Sequence, residues 1–159
     1  MSFDPWDFYN KKAKSEWYKA RAFYKLDEIQ SKYKIFDKHT RSVLDLGCAP
    51  WSRLQASTQY IKNKNLCAIG IDLKQVILSS QWVHTYVWDI TDIAFVSSLC
   101  EKHNITIFDV ILSDAAPNTT WIKDIDAMKS IAMINDTLPI YKSFLSRSWK
   151  FVVKVFMWS

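Results

Sequence analysis

Residues 42–47, with the sequence Ser-Val-Leu-Asp-Leu-Gly, form a short apolar run that stops at a glycine. Short runs of β-branched and large apolar side chains are typical of strands that are buried on both faces of a parallel sheet. Four further segments predict strands for the same reason, namely residues 66–73, 83–87, 109–113 and 151–156. The sequence therefore predicts a sheet of five strands.

Helical segments precede and separate these strands. In the first of them Leu26, Ile29 and Tyr33 recur at steps of three and four residues, which places them on one face of a helix. Thr91 is expected to cap a later helix, and Pro139 to kink or divide the last one. The predicted helices span residues 16–33, 52–62, 91–103 and 124–145. This alternation predicts an α/β fold with a mainly parallel sheet and right-handed crossovers.

The composition is that of a globular chain with few glycines. The 159 residues are 49% hydrophobic and 15% aromatic, but only 2 are glycine and 4 are proline, which excludes collagen-like and Pro/Gly-rich disordered classes. We expect one domain, residues 1–159. A net charge of +5 favours an anionic partner such as nucleic acid. With no apolar run of membrane-spanning length, we expect an intracellular protein without membrane association; its compartment and oligomeric state stay open.

The three cysteines, Cys48, Cys67 and Cys100, are odd in number and have no C-x-x-C spacing. Such spacing predicts neither a disulfide framework nor a zinc site. We expect all three to be core residues, and we expect no metal.

Acidic residues follow the predicted strands where a ligand of a parallel sheet would bind. Asp72 and Asp89 each end a strand. In nucleotide-binding folds, an acid about 20 residues beyond the loop after the first strand typically binds ribose hydroxyls, and the spacing from Gly47 to Asp72 is compatible with this role. The alternative is that each Asp only starts a turn. Because no G-x-G-x-x-G motif is present, a nucleoside without a pyrophosphate, such as S-adenosylmethionine, fits better than NAD.

A basic cluster near the start of the chain is a candidate RNA-binding surface. Cations neutralise phosphates and aromatic side chains stack on bases, and Tyr9, Trp17, Tyr18 and Tyr24 accompany this cluster. The alternative is an ordinary solvated face. The cations are Lys11, Lys12, Lys14, Lys19 and Arg21.

Four stretches in the same order resemble the FtsJ/RrmJ family of ribosomal RNA 2′-O-ribose methyltransferases. They are residues 18–26 (Tyr-Lys-Ala-Arg-Ala-Phe-Tyr-Lys-Leu), 43–50 (Val-Leu-Asp-Leu-Gly-Cys-Ala-Pro), 111–118 (Ile-Leu-Ser-Asp-Ala-Ala-Pro-Asn) and 151–156 (Phe-Val-Val-Lys-Val-Phe). The resemblance covers about residues 8–157. It implies a Rossmann-like methyltransferase fold, S-adenosylmethionine as the methyl donor, and ribosomal RNA or a ribosomal subunit as the partner.

The resemblance also implies roles for particular residues. Lys25, Asp114 and Lys154 match the first three members of the family's Lys-Asp-Lys-Glu catalytic tetrad. The implied donor-binding residues are Gly47, Pro50, Trp51, Arg53, Asp72 on the ribose, Asp89 on the adenine side, and Asp114.

The chemistry explains why lysines would be used. A ribose 2′-hydroxyl must lose its proton as it attacks the donor methyl group. A lysine becomes a base when burial or a neighbouring cation favours its neutral form. Lys25 and Lys154 would each be the neighbouring cation of the other, and Asp114 would orient them. The alternative for Lys154 is a lysine whose amine reaches solvent from a strand end.

Two departures from the family pattern predict impaired activity. Trp51 stands where the family has a glycine next to the donor. Trp17 and Trp149 also stand at positions where the family pattern has glycine. In addition, the sequence ends at Ser159, before the part that carries the tetrad glutamate and the last strands, which predicts that the fifth strand is an edge. A non-catalytic RNA-binding remnant, or a methyltransferase for an mRNA cap or a small molecule, are the alternative functions.

Overall fold

The computed structural model describes residues 23–49, 52–61, 66–77, 80–115, 117 and 119–155. Its strands form one sheet in the order β3-β2-β1-β4-β5, and every neighbouring pair is parallel. The strands are β1 (Ser42–Leu46), β2 (Cys67–Asp72), β3 (Val83–Val87), β4 (Phe108–Ser113) and β5 (Leu145–Val153). The predicted α/β class with a parallel sheet is confirmed, and β5 is an outer strand of this sheet as expected.

Helices pack on both faces of the sheet. They are α1, described over residues 23–33, α2 (Ser52–Tyr60), α3 (Ile93–Lys102) and α4 (Lys123–Phe144). One face buries Leu26 of α1 and Leu54 of α2, and the other buries Val96 of α3 and Ile140 of α4. Because β1 lies in the middle, its five residues are all buried. None of these four helices, as far as they are described, is long and apolar enough to cross a membrane.

Two local predictions were wrong, for the cap of α3 and the start of β5, and of the two alternatives for Pro139 the division of the helix is excluded. Thr91 does not cap α3, because the Asp92 carboxylate accepts the Phe95 N–H at 3.0 Å and so satisfies one of the free donors of the first turn. Pro139 lies inside α4 without dividing it. Strand β5 begins at Leu145, six residues before the predicted start, because Leu145 pairs with Phe108 and Lys150 with Val110, on the two sides of an irregularity in the register.

Both glycines occupy positions that a side chain would disturb. Gly47 has a φ of +76°, and a Cβ there would lie 2.8 Å from the backbone of Ala115. Gly70 lies in β2 against the side chains of Leu54 and Cys48. The loop after β1 can therefore approach the loop after β4 only because residue 47 is a glycine.

A tryptophan occupies a backbone conformation that favours glycine. Trp121 has a φ of +67° and its side chain is 91% exposed. A bulky side chain in the left-handed region is strained, and an exposed one recovers little of that cost by packing.

We expect Trp121→Gly to raise the free energy of unfolding by about 1 kcal/mol, because relief of left-handed strain outweighs the added entropy of an unfolded glycine. Chemical denaturation measures this. The matched control is Ile122→Gly, since Ile122 has a φ of −102° and glycine there should destabilise. Equal destabilisation by both changes would contradict the prediction.

Candidate active site

A cavity of about 200 Å³ opens at the carboxyl ends of β4 and β5. Its walls include Lys25 and Leu26 of α1, Arg53 of α2, Asp114 after β4 and Lys154 after β5. The three residues that match the catalytic tetrad thus line one cavity, although they are far apart in the sequence.

The register of the sheet brings Asp114 and Lys154 together. Ser113 pairs with Val153 at the ends of β4 and β5, so the next residue of each strand leaves the sheet at the same place. The Lys154 N–H donates to the Ser113 carbonyl at 2.9 Å, and Lys154 Nζ lies 3.1 Å from Asp114 Oδ1. The side chain of Lys154 is 36% exposed and that of Asp114 is 23% exposed, so this ion pair is partly buried in the wall of the cavity.

Arg53 links Asp114 to a second, buried carboxylate. Its Nη2 lies 2.9 Å from Oδ1 of Asp45, which is completely buried in β1, and donates to the Gly47 carbonyl at 2.8 Å. Its Nη1 lies 3.5 Å from Asp114 Oδ2. Asp114 therefore lies between the cations of Arg53 and Lys154, and the guanidinium of Arg53 is held by protein groups on the cavity wall.

Burial raises the pKa of Asp45 to about 7. Loss of hydration is the largest cause, the positive charge of Arg53 partly offsets it, and the negative charges of Asp114 and Asp72 add to it. We did not single out Asp45 as a site residue from the sequence. The available signal was a charged residue inside the otherwise apolar run 42–47, which in a central strand requires a partner.

Asp72 ties the loop after β1 to the end of β2. Its Oδ2 accepts the Ala49 N–H and its Oδ1 accepts the Lys74 N–H, both at 2.9 Å. The Gly47 and Cys48 N–H groups also donate to the Ile71 carbonyl, at 2.8 and 3.2 Å. A carboxylate oxygen has a second lone pair, so Asp72 retains acceptor capacity for a hydroxyl group.

Asp89 makes the contacts of a turn. Its Oδ1 accepts hydrogen bonds from the backbone N–H of Thr91 at 2.9 Å and from the Thr91 hydroxyl at 2.8 Å. Both Asp72 and Asp89 lie beyond the cavity that contains Lys25, Asp114 and Lys154, at the ends of β2 and β3 on the same edge of the sheet.

Several predicted site residues lie outside the described residues. Among them are Pro50 and Trp51 of the loop after β1. The predicted RNA-binding cations also lie there, namely Lys11, Lys12, Lys14, Lys19 and Arg21.

The sheet and its carboxyl edge together define a class of protein. A five-stranded parallel sheet with helices on both faces is a Rossmann-like α/β fold, in which ligands bind at the carboxyl ends of the strands.

Comparison with known proteins identifies the family. A family model described as FtsJ-like methyltransferase matches residues 18–159. Ribosomal RNA large subunit methyltransferase E of Syntrophobacter fumaroxidans is 40% identical over 157 residues, which are 98% of this chain and 78% of that protein. The protein of the same name from Brachyspira hyodysenteriae is 38% identical over 153 residues, 94% of this chain and 74% of that protein.

A solved structure agrees with these relatives. A Plasmodium falciparum protein assigned as a ribosomal RNA methyltransferase matches with a TM-score of 0.75 and 27% identity, over 87% of this chain and 79% of that chain. The chain belongs to the FtsJ-like methyltransferase family. The resemblance inferred from the four stretches is therefore confirmed.

The raised pKa of Asp45 predicts a specific dependence of stability on pH. Between about pH 4 and pH 7 the folded protein binds this proton more tightly than the unfolded chain does, so ionisation destabilises the folded state as the pH rises. Relative to Asp45→Asn, the wild type should lose stability across this window, with a slope of at most about 1.4 kcal/mol per pH unit, and the difference should be constant above it. Denaturant unfolding of both proteins at several pH values measures this. A wild type that gains stability relative to Asp45→Asn as the pH rises would contradict it.

Proposed function

We propose that this chain is an S-adenosylmethionine-dependent methyltransferase that acts on a ribose 2′-hydroxyl of ribosomal RNA. The observation that carries the proposal is the ion pair of Asp114 and Lys154 in a cavity that Lys25 also lines. The names of the bacterial relatives support large-subunit ribosomal RNA as the substrate. We also propose that residues 1–159 form a single domain, since all the described strands belong to one sheet.

The residues at the sheet edge fit a nucleoside donor that carries a sulfonium. Asp72 has acceptor capacity for ribose hydroxyls beside a loop that is held close to the sheet by Gly47. The Asp114 carboxylate supplies the negative charge that attracts a positive sulfonium. When bound, S-adenosylmethionine supplies an electrophilic methyl group.

Lys154 is the proposed base for the 2′-hydroxyl. Its amine must be neutral before it can take a proton from the hydroxyl. Arg53 also lies 3.5 Å from Asp114, so the same carboxylate contacts both cations. We infer that Asp114 orients Lys154 and that Arg53 fixes the position of Asp114.

The basic segment of residues 11–21 is the proposed RNA-binding surface. Its five cations precede Lys25 by 4 (Arg21) to 14 (Lys11) residues in the sequence, and such cations neutralise phosphates of the RNA backbone whatever the base sequence. These cations are Lys11, Lys12, Lys14, Lys19 and Arg21.

A non-catalytic RNA-binding protein is the second candidate function. The observation that favours it is Trp51, which occupies a position in the loop after β1 where the resemblance implies glycine. A tryptophan that pointed into the cleft would obstruct the donor, whereas the basic segment of residues 11–21 would still bind RNA.

Calorimetric titration with S-adenosylmethionine distinguishes the two functions. We expect Trp51→Gly to bind the donor with micromolar affinity and more tightly than the wild type does. The matched control is Trp82→Gly, just before β3 at the opposite edge of the sheet, which should leave the affinity unchanged. If neither the wild type nor Trp51→Gly binds at millimolar donor, the enzyme is rejected in favour of the RNA-binding protein.

Lys154→Ala tests the assignment of the base. In the Trp51→Gly background we expect methyl transfer to large ribosomal subunits to fall by at least about a hundredfold, the low end of what a positioned acid or base contributes. Lys150→Ala is the control, since Lys150 lies in β5, directly before Lys154 in the sequence order of cations, but pairs with Asp37 at 2.8 Å and not with Asp114. Incorporation of labelled methyl groups gives the rate, and mapping of the modified nucleotide identifies the 2′-hydroxyl. Unchanged turnover in Lys154→Ala would refute the assignment.

A further inference from the structure

Three side chains of types that can bind a metal ion lie close together at the amino-terminal end of β2, away from the cavity. Cys67 is the first residue of β2, His84 lies in β3, and His103 ends α3. One potential ligand atom from each lies within 4.8 Å of the other two. Strand β2 has five steps of about 3.3 Å between Cys67 and Asp72, so the cluster lies about 16 Å from the edge where the methyl donor is proposed to bind.

The fold explains why the three residues meet. His84 pairs in register with Ile69, and Cys67 lies two residues before Ile69, so both side chains point to the same face of the sheet. This is the face that α3 covers, where Cys67 packs against the apolar cluster that contains Leu99. The end of α3 brings His103 over the two strands, with its ring centroid 4.3 Å from that of His84.

We propose that Cys67, His84 and His103 bind one zinc ion. A thiolate and two imidazoles are ligands that zinc prefers, and three protein ligands leave the fourth tetrahedral position for water. Zinc–ligand bonds of about 2.0 to 2.3 Å place tetrahedral ligands roughly 3.3 to 3.8 Å apart. The three donor atoms therefore need to approach one another by about 1 Å, which side-chain rotation on half-buried residues allows.

Tyr86 provides the outer contact that a zinc-binding histidine usually makes. Metal-bound histidines donate their second ring N–H to an oxygen acceptor, which fixes the ring and its tautomer. The Tyr86 hydroxyl lies 2.7 Å from Nε2 of His103, which leaves Nδ1 of His103 for the metal. Tyr86 is on the same face of β3 as His84, since the two are separated by one residue.

A zinc ion here would join the end of α3 to β2 and β3. Because the three ligands come from different elements, the ion would add a cross-link between parts of the chain that are separate in the sequence. The proposal concerns a site apart from methyl transfer, and it replaces the expectation from cysteine spacing that no metal is bound. That spacing was uninformative because the ligands come from three different elements.

Zinc titration of the untagged, reduced and metal-free chain tests the proposal. In competition with a chromophoric chelator we expect one equivalent of zinc to bind, and Cys67→Ser and His84→Gln each to weaken binding at least about tenfold. His39→Gln is the matched control, because the exposed His39 lies outside the cluster, and it should bind as the wild type does. No stoichiometric binding, or equal affinity in all variants, would overturn the proposal.

Two further measurements keep the test decisive if a variant folds poorly. Cobalt in place of zinc should give the wild type a thiolate charge-transfer band that is absent in Cys67→Ser; persistence of that band would overturn the proposal. In the wild type, zinc should protect Cys67 from alkylation, whereas magnesium should not. Cys48 and Cys100 are buried and serve as internal references. Alkylation of Cys67 at the same rate with and without zinc would also refute the site.

Discussion

A carboxylate buried in the middle of the sheet dictates how the candidate active site is built. Asp45 lies in the central strand with no exposed surface, and neither of its oxygens accepts a hydrogen bond from the described residues. Such a group is tolerated only when a charge is placed against it. Arg53 supplies that charge from α2. Its guanidinium also donates a hydrogen bond to the Gly47 carbonyl and lies near Asp114. One buried ion pair thus sets the relative positions of β1, its loop and the Asp114 carboxylate.

The parallel register extends this arrangement to Lys154. A residue that follows one strand lies beside the residue that follows its paired neighbour, so the pairing of Ser113 with Val153 is enough to place Asp114 and Lys154 side by side. Gly47 contributes to this arrangement because it has no side chain, which lets the loop after β1 contact the backbone of Ala115. The positions of Asp114 and Lys154 are therefore a consequence of sheet geometry, whereas Lys25 and Arg53 reach the site from helices α1 and α2.

The strands were predictable because four of them are short apolar runs, and their strand-end acids followed from the topology. The start of β5 was not predictable, since residues 145–150 contain serine, arginine and lysine, and of these only Leu145 and Lys150 pair with β4, on the two sides of an irregularity. The capping of α3 was missed because Thr91 and Asp92 are adjacent and either residue type can cap a helix. The cluster of Cys67, His84 and His103 was beyond sequence reasoning, because proximity between three elements depends on the strand order.

The shortage of glycine acquires a structural meaning at individual positions. The two glycines that are present stand where a Cβ would meet neighbouring atoms, whereas Trp121 has a positive φ that a glycine would adopt without strain. The chain thus contains a bulky residue in at least one backbone conformation that favours glycine. Trp51 is a parallel case by sequence, because it stands in the loop between β1 and α2 where the resemblance implies glycine. Since that loop begins at Gly47, which is already pressed against Ala115, room for a nucleoside beside it depends on which way the side chain at position 51 points. Donor affinity is therefore the property that residue 51 should control most directly.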